Sequence, residues 1–254
     1  MVPVQHRPDG NGSRVRPAKA PDGAAIYAVG DIHGRPDLLT KLQAMILADA
    51  KRRRVDRRVV VYLGDYVDRG PDSKGVLERL VERPLDGFES VFLKGNHEDF
   101  MLRFLGDGSL ATSWMLNGGM ATLRSYGIDV LDPVRGEDRL KKARNDLARA
   151  LPPRHRDFLN GLDLWHREGD YLFVHAGVRP GVAIEDQRET DLLWIRHEFL
   201  NSDADFGGIV VHGHTVVGDP ETRANRIGID TGAVMTGCLT ALAIEGTDRA
   251  FIRT

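Results

Sequence analysis

Short apolar runs, each followed by a glycine-punctuated polar loop, recur along the chain from Ala24 onward. Five of these runs, rich in β-branched and aromatic residues, span 25–29, 59–63, 91–93, 171–174 and 209–211. Their length and composition predict buried strands. Between the first two runs, Leu38, Leu39 and Leu42 follow Pro36 at helical spacing, which predicts a helix with one apolar face. The alternation of strands and helices predicts an α/β fold.

The middle and the end of the chain have different patterns. Residues 99–161 contain no clear strand pattern and are predicted to form a helical insertion. Its helical patterns lie at 100–105, 111–126 and 138–151. After Phe206, short strands are predicted at 226–230, 239–244 and 250–253. The turns between them are too short for crossover helices, so part of the sheet structure is predicted to be antiparallel.

Residues 1–23 are rich in Pro, Gly, Arg and Asp and show no periodic apolar positions. Because such a segment has little apolar surface to bury, we expect a disordered leader over 1–23 and one folded domain over 24–254. With 254 residues, of which 41% are hydrophobic and 28% charged, the chain can bury a sizeable core within that domain.

Charge and cysteine content argue against several partners and compartments. The 35 Lys and Arg residues balance 37 Asp and Glu residues to a formal charge of -2, which predicts neither a nucleic-acid nor a membrane partner. A basic run at 51–58 closes a predicted helix before a strand, so we expect a solvated face at the sheet edge away from the polar loops. Cys238 is the single cysteine and cannot form an internal disulfide, and no apolar run reaches the roughly 18 residues of a spanning helix. We therefore expect a cytoplasmic protein.

Polar residues that follow the five apolar runs form a coherent set of metal ligands. They are Asp31, His33, Asp65, Asn96, His175 and His214. The carboxyl ends of strands in an open α/β sheet line one crevice, so we expect these side chains to converge. Carboxylate, amide and imidazole groups without a thiolate suit Mn²⁺, Fe²⁺ or Zn²⁺ better than Ca²⁺. Six ligands are too many for one catalytic ion with open positions, which favours two ions about 3.5 to 4 Å apart, bridged by one carboxylate.

The motifs around these residues resemble those of a known family. They are Gly-Asp-Ile-His-Gly at 30–34, Gly-Asp-Tyr-Val-Asp-Arg-Gly at 64–70, Gly-Asn-His-Glu at 95–98, His-Ala-Gly at 175–177 and Gly-His-Thr at 213–215. In this order, they resemble the phosphoprotein phosphatase family of calcineurin-like metallophosphoesterases. Trp-Met-Leu-Asn-Gly-Gly and Ser-Tyr-Gly in the insertion resemble its bacterial serine/threonine protein phosphatases. The resemblance covers nearly all of the chain after residue 23 and implies an α/β sandwich of mixed β-sheets flanked by helices.

The resemblance also implies two divalent metal ions, with Mn²⁺ favoured over an Fe/Zn pair. Asp31 and His33 would hold the first ion, and Asp65 would bridge both. The second ion would be held by Asn96, His175 and His214. A hydroxide between the two ions would attack phosphorus directly, without a phosphoenzyme.

Four further residues receive roles from the same resemblance. His97 would protonate the leaving alkoxide, and Asp68 would orient the His97 ring. Arg69 and Arg196 would bind the phosphate oxygens, since a guanidinium matches them with two parallel N–H groups. The implied activity is that of a serine/threonine protein phosphatase acting on phosphorylated proteins or peptides.

Two other functions remain as alternatives. A bis(5'-nucleosyl)-tetraphosphatase, which hydrolyses dinucleoside polyphosphates, resembles this chain in the same loops. Asp68 argues against it, because the dinucleotide relatives tend to have Ala before the Arg. A non-catalytic phosphoprotein-binding module is the other alternative, and the complete set of ligands and acid argues against it.

Several residues have an ordinary structural interpretation beside a functional one. Trp114, Met115 and Leu116 are expected to be core residues, with a substrate wall as the alternative. His212 is expected to be a strand residue or a partner of a metal ligand. The remaining histidines are expected at the surface, namely His6, His155, His166 and His197.

Overall fold

The structure is a computed structural model that describes residues 2–3, 17–128 and 137–254. Most of the predicted leader, residues 1–23, lies outside the described residues. Its described parts contact the domain: Val2–Pro3 form a strand, and the N–H of buried Ala20 donates to the Gly246 carbonyl at 2.8 Å. The packed part of the chain therefore begins before Ala24, where the sequence predicts the start of the domain.

Two mixed β-sheets form the centre of the molecule. Their strands are β1 (Val2–Pro3), β2 (Ala24–Val29), β3 (Arg57–Tyr62), β4 (Glu89–Phe92), β5 (Trp165–Glu168), β6 (Tyr171–Val174), β7 (Ile209–His212), β8 (Glu221–Thr222), β9 (Arg226–Gly228), β10 (Thr240–Glu245) and β11 (Asp248–Arg253). The larger sheet has the spatial order β1-β11-β10-β2-β3-β4, and the smaller sheet has the order β5-β6-β7-β9-β8.

Both sheets combine parallel and antiparallel strand pairs. In the larger sheet β2, β3 and β4 run parallel, whereas β10 pairs antiparallel with both β2 and β11. In the smaller sheet β6, β7 and β9 run parallel, and β5 and β8 are antiparallel edge strands. The β10–β11 hairpin confirms the antiparallel structure predicted for the end of the chain.

Side chains of β2 alternate between two hydrophobic clusters. Tyr27 and Val29 join the cluster under the helices, whereas Ile26 and Ala28 join the cluster between the two sheets, which includes Phe173 of β6. A strand buried on both faces must be apolar at every position, and all six residues of β2 are buried. Each large side chain buried in this way contributes about 1.5–3 kcal/mol to folding.

Helices cover the outer faces of both sheets. They are α1 (Pro36–Ala50), α2 (Ser73–Glu82), α3 (Asn96–Gly106), α4 (Ala111–Trp114), α5 (Met120–Ser125), α6 (Glu137–Ala150), α7 (Pro153–Asn160), α8 (Glu189–Trp194), α9 (His197–Leu200) and α10 (Ala233–Thr236). Four of them, α4 to α7, lie within the predicted insertion, and α3 begins three residues before it. The two mixed sheets with flanking helices confirm the predicted fold class. In the part of the chain that the structure describes, no helix is long and apolar enough to cross a membrane.

The basic run at 51–58 forms ion pairs within the domain as well as a solvated face. Arg53 Nε lies 2.6 Å from Asp49 Oδ2, which belongs to α1. Arg57 Nη1 lies 2.7 Å from Glu168 Oε2 and thereby joins β3 of the larger sheet to β5 of the smaller one. Part of this basic charge therefore stabilises contacts between elements.

Candidate active site

The residues predicted to bind metal follow the ends of strands in both sheets. In the larger sheet, Asp31 and His33 follow β2, Asp65 follows β3, and Asn96 begins α3 after β4. In the smaller sheet, His175 follows β6 and His214 follows β7. All of these side chains are buried. Asp65 contacts residues from the loops of both sheets, so the site lies where the carboxyl ends of the two sheets meet.

Backbone strain is concentrated in these loops. Among the described residues, those other than glycine with a positive φ are His33, Asp65, Asp68, Arg69, His214 and Leu110. All except Leu110 belong to the predicted site. A residue with a side chain costs about 1–3 kcal/mol in such a conformation and keeps it only where its surroundings fix it. The fold therefore imposes these loop conformations on residues that do not favour them.

Glu98 fixes the loop that carries Asp65. Its carboxylate accepts the backbone N–H groups of Asp65 and Tyr66, each at 2.8 Å, and that of Gly95 at 2.9 Å. Gly95 lies so close to this loop that a Cβ there would collide with Asp65 Oδ1. Glu98 closes the Gly-Asn-His-Glu motif, but its role in holding Asp65 is not among the sequence predictions.

Two groups of side chains could each hold a metal ion, and both contain Asp65. The first group is His33, Asp65 and His97, with His33 Nε2 3.5 Å and His97 Nε2 3.9 Å from Asp65 Oδ2. His33 Nδ1 lies 2.8 Å from the Val67 carbonyl oxygen and therefore carries the ring proton. His33 Nε2 is left with a lone pair that could ligate a metal.

The second group is Asp65, His175 and His214, with Asn96 beside it. His175 Nδ1 donates to the Leu63 carbonyl at 2.9 Å, so its Nε2 carries a lone pair. This Nε2 lies 2.9 Å from Asn96 Oδ1 and 3.4 Å from Asp65 Oδ1. Asn96 Oδ1 also lies 2.8 Å from His214 Nδ1. Lone pairs of an imidazole, an amide and a carboxylate therefore converge here, and a cation would stabilise this arrangement.

The charge states in this region also fit divalent cations. Burial lowers the pKa of His33 to about 3 and that of His214 to about 2, so both rings are neutral and able to bind a metal. His214 Nε2 is buried without a hydrogen-bond partner among the described residues. Burial and the charges of Asp230 and Asp65 raise the pKa of Asp31 well above its usual value. Added positive charge would therefore stabilise this pocket of carboxylates.

Asp31 is placed differently from the other predicted ligands. Its carboxylate accepts the backbone N–H of His214 at 3.0 Å, and Asp31 belongs to neither group of three. His97 completes the first group instead, so the assignment of Asp31 as a ligand stays a prediction. Asp230, which is not among the predicted site residues, lies in the same pocket. Burial, together with the charge of Asp65, raises the pKa of Asp230 to about 6.

His97 and Asp68 form a buried pair beside the first group. His97 Nδ1 lies 2.7 Å from Asp68 Oδ2, which places the ring proton on Nδ1. Burial alone would lower the pKa of His97, but the charge of Asp65 and the hydrogen bond to Asp68 raise it above its usual value. A histidine of this kind can hold and release a proton near neutral pH, as a general acid must.

The two predicted phosphate-binding arginines occupy different parts of the region. Arg69 reaches into the first group, with Nη2 2.9 Å from His97 Nε2 and Nη1 3.0 Å from His33 Nε2. Arg196 is exposed and donates from Nη1 to Thr215 Oγ1 at 3.2 Å. Because Thr215 follows His214, Arg196 stands at the rim of the second group. Both guanidinium groups are thus near the candidate metal ligands, and their binding of phosphate stays a prediction.

The predictions for Trp114, Met115 and Leu116 have mixed outcomes. Trp114 and Met115 are buried, as expected for core residues, whereas Leu116 is 71% exposed. Trp114 also donates a hydrogen bond from Nε1 to Asp68 Oδ2 at 2.8 Å. Thr122 donates to the other oxygen of Asp68 at 2.6 Å. Neither contact is predicted from the sequence, because 46 and 54 residues separate the partners.

His212 and His155 have structural surroundings. His212 is buried within β7, as predicted for a strand residue. The prediction that His155 lies at the surface is wrong. Its ring is buried because Nδ1 lies 2.8 Å from the Tyr126 hydroxyl and Nε2 lies 2.9 Å from Glu78 Oε2. The predicted surface residue His6 lies outside the described residues.

Comparisons with known proteins match most of the chain. The family model of the calcineurin-like phosphoesterases matches residues 24–234. Serine/threonine-protein phosphatase 1 of Salmonella typhimurium is 30% identical over 226 residues, which cover 87% of this chain and 92% of that protein. An asymmetrical bis(5'-nucleosyl)-tetraphosphatase of Halalkalibacterium halodurans is 25% identical over 236 residues, which cover 84% of this chain and 87% of that protein.

A solved structure shares the fold. The crystal structure of a candidate diadenosine tetraphosphatase matches 90% of this chain and 93% of its own, with a TM-score of 0.59 and 23% sequence identity. At that identity the likeness shows the fold alone, and it agrees with the predicted sandwich of mixed sheets. The family model and the phosphatase from Salmonella typhimurium each match most of the chain. The chain belongs to the calcineurin-like phosphoesterase family.

Proposed function

We propose that this protein is a serine/threonine protein phosphatase, which hydrolyses phosphate monoesters on proteins. The observation that carries the proposal is the 2.7 Å hydrogen bond between His97 Nδ1 and Asp68 Oδ2 beside the metal-ligand groups. A serine or threonine alkoxide needs a proton as it leaves, whereas a phosphate leaving group such as a nucleotide needs one much less. A positioned acid accelerates a reaction by about 10²- to 10⁴-fold, and an alkyl phosphate gains most from it.

Two divalent metal ions, with Mn²⁺ favoured, complete the proposed site. The proposed ligands are Asp31 and His33 for one ion, Asn96, His175 and His214 for the other, and Asp65 for both. When bound, such ions lower the pKa of a water molecule to near neutrality and offset the charge of the phosphoryl group. The two ligand groups that share Asp65 support this part of the proposal.

The side chains of the protein then bind the phosphate and move one proton. Arg69 and Arg196 donate N–H groups to the phosphate oxygens. For Arg69, this means exchanging its contacts with His33 Nε2 and His97 Nε2 for contacts with the substrate. His97 Nε2 can then carry the proton that the leaving oxygen requires, while Asp68 continues to accept from His97 Nδ1.

Hydrolysis of dinucleoside polyphosphates is the second candidate. Trp194 is 38% exposed, and the centre of its indole lies 6.1 Å from the centre of the His214 ring. The ring is supported edge-on by Phe100, with 5.0 Å between ring centres. An exposed, supported indole beside a phosphate site could stack on a nucleobase. The 25% identity to a tetraphosphatase also favours this candidate.

One set of rate measurements tests both candidates. Metal-free protein, before and after the return of Mn²⁺, is assayed on a phosphoserine peptide, a phosphotyrosine peptide and diadenosine tetraphosphate. We expect activity only with metal, and the highest kcat/KM on the phosphoserine peptide. The highest kcat/KM on diadenosine tetraphosphate would select the second candidate. Binding of the phosphopeptide without turnover of any substrate would indicate a phosphoprotein-binding module.

A further inference from the structure

The helical insertion places two polar side chains on the carboxylate of Asp68. Trp114, the last residue of α4, donates from Nε1 to Asp68 Oδ2 at 2.8 Å. Thr122, within α5, donates from Oγ1 to Asp68 Oδ1 at 2.6 Å. All three side chains are fully buried. Together with His97 on Oδ2, these donors occupy both oxygens of the carboxylate.

The number of available protons fixes the direction of each hydrogen bond in this network. Asp68 Oδ1 can only accept when ionised, so the single hydroxyl proton of Thr122 points to it. Ser73 Oγ lies 2.8 Å from Thr122 Oγ1 and must then be the donor of that pair. The backbone N–H of Asp68 lies 2.9 Å from both hydroxyl oxygens. Rotation of any one group would leave a buried polar atom without a partner, which native structures avoid.

The insertion also contacts the backbone of the same loop. Asp68 and Arg69 have φ values of 73° and 65°, a conformation that side chains disfavour. The N–H of Arg69 donates to the Gly118 carbonyl at 3.3 Å, at a kink between α4 and α5 where the backbone of Gly118 leaves the helical conformation. A Cβ on Gly118 would press against the Arg69 backbone, and the φ of Gly118 is itself 108°.

We propose that Trp114 and Thr122 are positioning residues for the acid His97. They hold Asp68 in one orientation, so that it accepts from His97 Nδ1 and leaves Nε2 of the same ring for the leaving oxygen. The inference rests on the proposed function, because it takes His97 as the acid. In this role both residues act on His97 through Asp68. Without these two donors, His97 would be the one side-chain partner left to the Asp68 carboxylate among the described residues. The carboxylate could then rotate away from the His97 ring.

The test compares variants of Thr122 in Mn²⁺-loaded protein on a phosphoserine peptide and on p-nitrophenyl phosphate. Thr122→Val keeps the shape of the side chain and removes the hydroxyl. We expect kcat/KM to fall about 10-fold on the peptide, the effect of losing one hydrogen bond to a charged group. The value of kcat/KM on the aryl ester should fall much less, because nitrophenolate leaves without a proton. The ratio of kcat/KM on the peptide to kcat/KM on the aryl ester does not depend on the folded fraction, so a destabilised variant remains informative.

Three further variants serve as controls and as a second test. Thr122→Ser keeps the hydroxyl and should restore the parent ratio. Ser125→Ala removes a hydroxyl from the same helix. This hydroxyl donates to the Thr122 carbonyl and not to Asp68, so the ratio should equal that of the parent protein. Trp114→Phe keeps an aromatic ring and removes the indole N–H. It should lower the ratio in the same direction as Thr122→Val.

Variants of Asp68 and His97 separate this inference from the proposed function. Thr122→Val added to Asp68→Asn should lower the ratio no further, because Thr122 acts through Asp68. If His97→Asn lowers the ratio and Thr122→Val does not, the positioning role is overturned while the acid assignment stands. If His97→Asn slows both substrates equally, the acid assignment fails and the positioning role fails with it.

Discussion

The two ligand groups that share Asp65 are built for different tasks. In the second group, His175 Nε2 and Asn96 Oδ1 present lone pairs to each other and to Asp65, an arrangement suited to a cation. In the first group, Arg69 adds N–H donors and positive charge within about 3 Å of His33 Nε2 and His97 Nε2. The first group therefore combines a candidate ion site with groups that can bind phosphate and move a proton.

This difference follows the architecture of the sandwich. The imidazoles of the second group, His175 and His214, come from loops of the smaller sheet, after β6 and β7. The first group comes from loops of the larger sheet and from the start of α3, and the insertion contacts its loop at Asp68. Changes in the smaller sheet should therefore affect mainly ion binding. Changes in the insertion should affect mainly the proton.

Replacing the shared carboxylate should have the largest effect. Asp65→Asn removes the charge common to both groups, so we expect a large loss of bound metal. We also expect kcat to fall about 10³-fold or more, because metals supply several kcal/mol of transition-state stabilisation. Asp31→Asn should lose less metal, because Asp31 would serve one ion. Elemental analysis of both variants measures this. Two full equivalents of metal in Asp65→Asn would show that the groups do not share a ligand.

Arg196 tests whether the rim of the second group binds substrate. Arg196→Ala should weaken competitive inhibition by inorganic phosphate about 10- to 100-fold, the effect of losing charged hydrogen bonds, with the metal content unchanged. Arg196→Lys keeps the charge without the planar pair of donors and should recover only part of the affinity. Inhibition by phosphate at the parent level in Arg196→Ala would make Arg196 a structural residue.

Replacing Asp230 should have the smallest effect, and this effect should be confined to metal-ion binding. Its charge lies in the pocket of Asp31 and Asp65 without belonging to either group, so Asp230→Asn should weaken Mn²⁺ binding by about 10-fold. The ratio of rates on phosphoserine peptide and p-nitrophenyl phosphate should stay at the parent value. Mn²⁺ titration of the metal-free protein measures the first effect, and unchanged affinity would remove Asp230 from the site.

The sequence predicts the parts of the site whose signal lies in a few adjacent residues. An apolar run followed by a loop that contains Gly together with Asp, His or Asn marks a strand and its loop in a few adjacent residues, so the sequence predicts both Asp65 and His175 as site residues. Asp230 carries the same signal, since it follows strand β9 and precedes Thr231 and Gly232. The strand predicted at 226–230 includes Asp230, so the sequence prediction does not separate it from the strand residues.

The parts that escape prediction depend on distant contacts. Trp114 reaches Asp68 across 46 residues, and nothing in the helical pattern of the insertion distinguishes a core indole from one that donates a hydrogen bond. His155 is buried by Tyr126, a partner 29 residues away. The positive φ values of Asp65 and Asp68 are likewise imposed by surrounding contacts, because local preference opposes them.

The most direct test of the central claim is the selectivity of His97→Asn. We predict that kcat/KM on a phosphoserine peptide falls about 10²-fold or more, the usual scale of general acid catalysis, while p-nitrophenyl phosphate loses much less. The metal content should stay at the parent value, although His97 completes the first group in the structure. Equal losses on both substrates with the metals retained would contradict the role of His97 as the acid. Loss of one metal equivalent would make His97 a ligand instead.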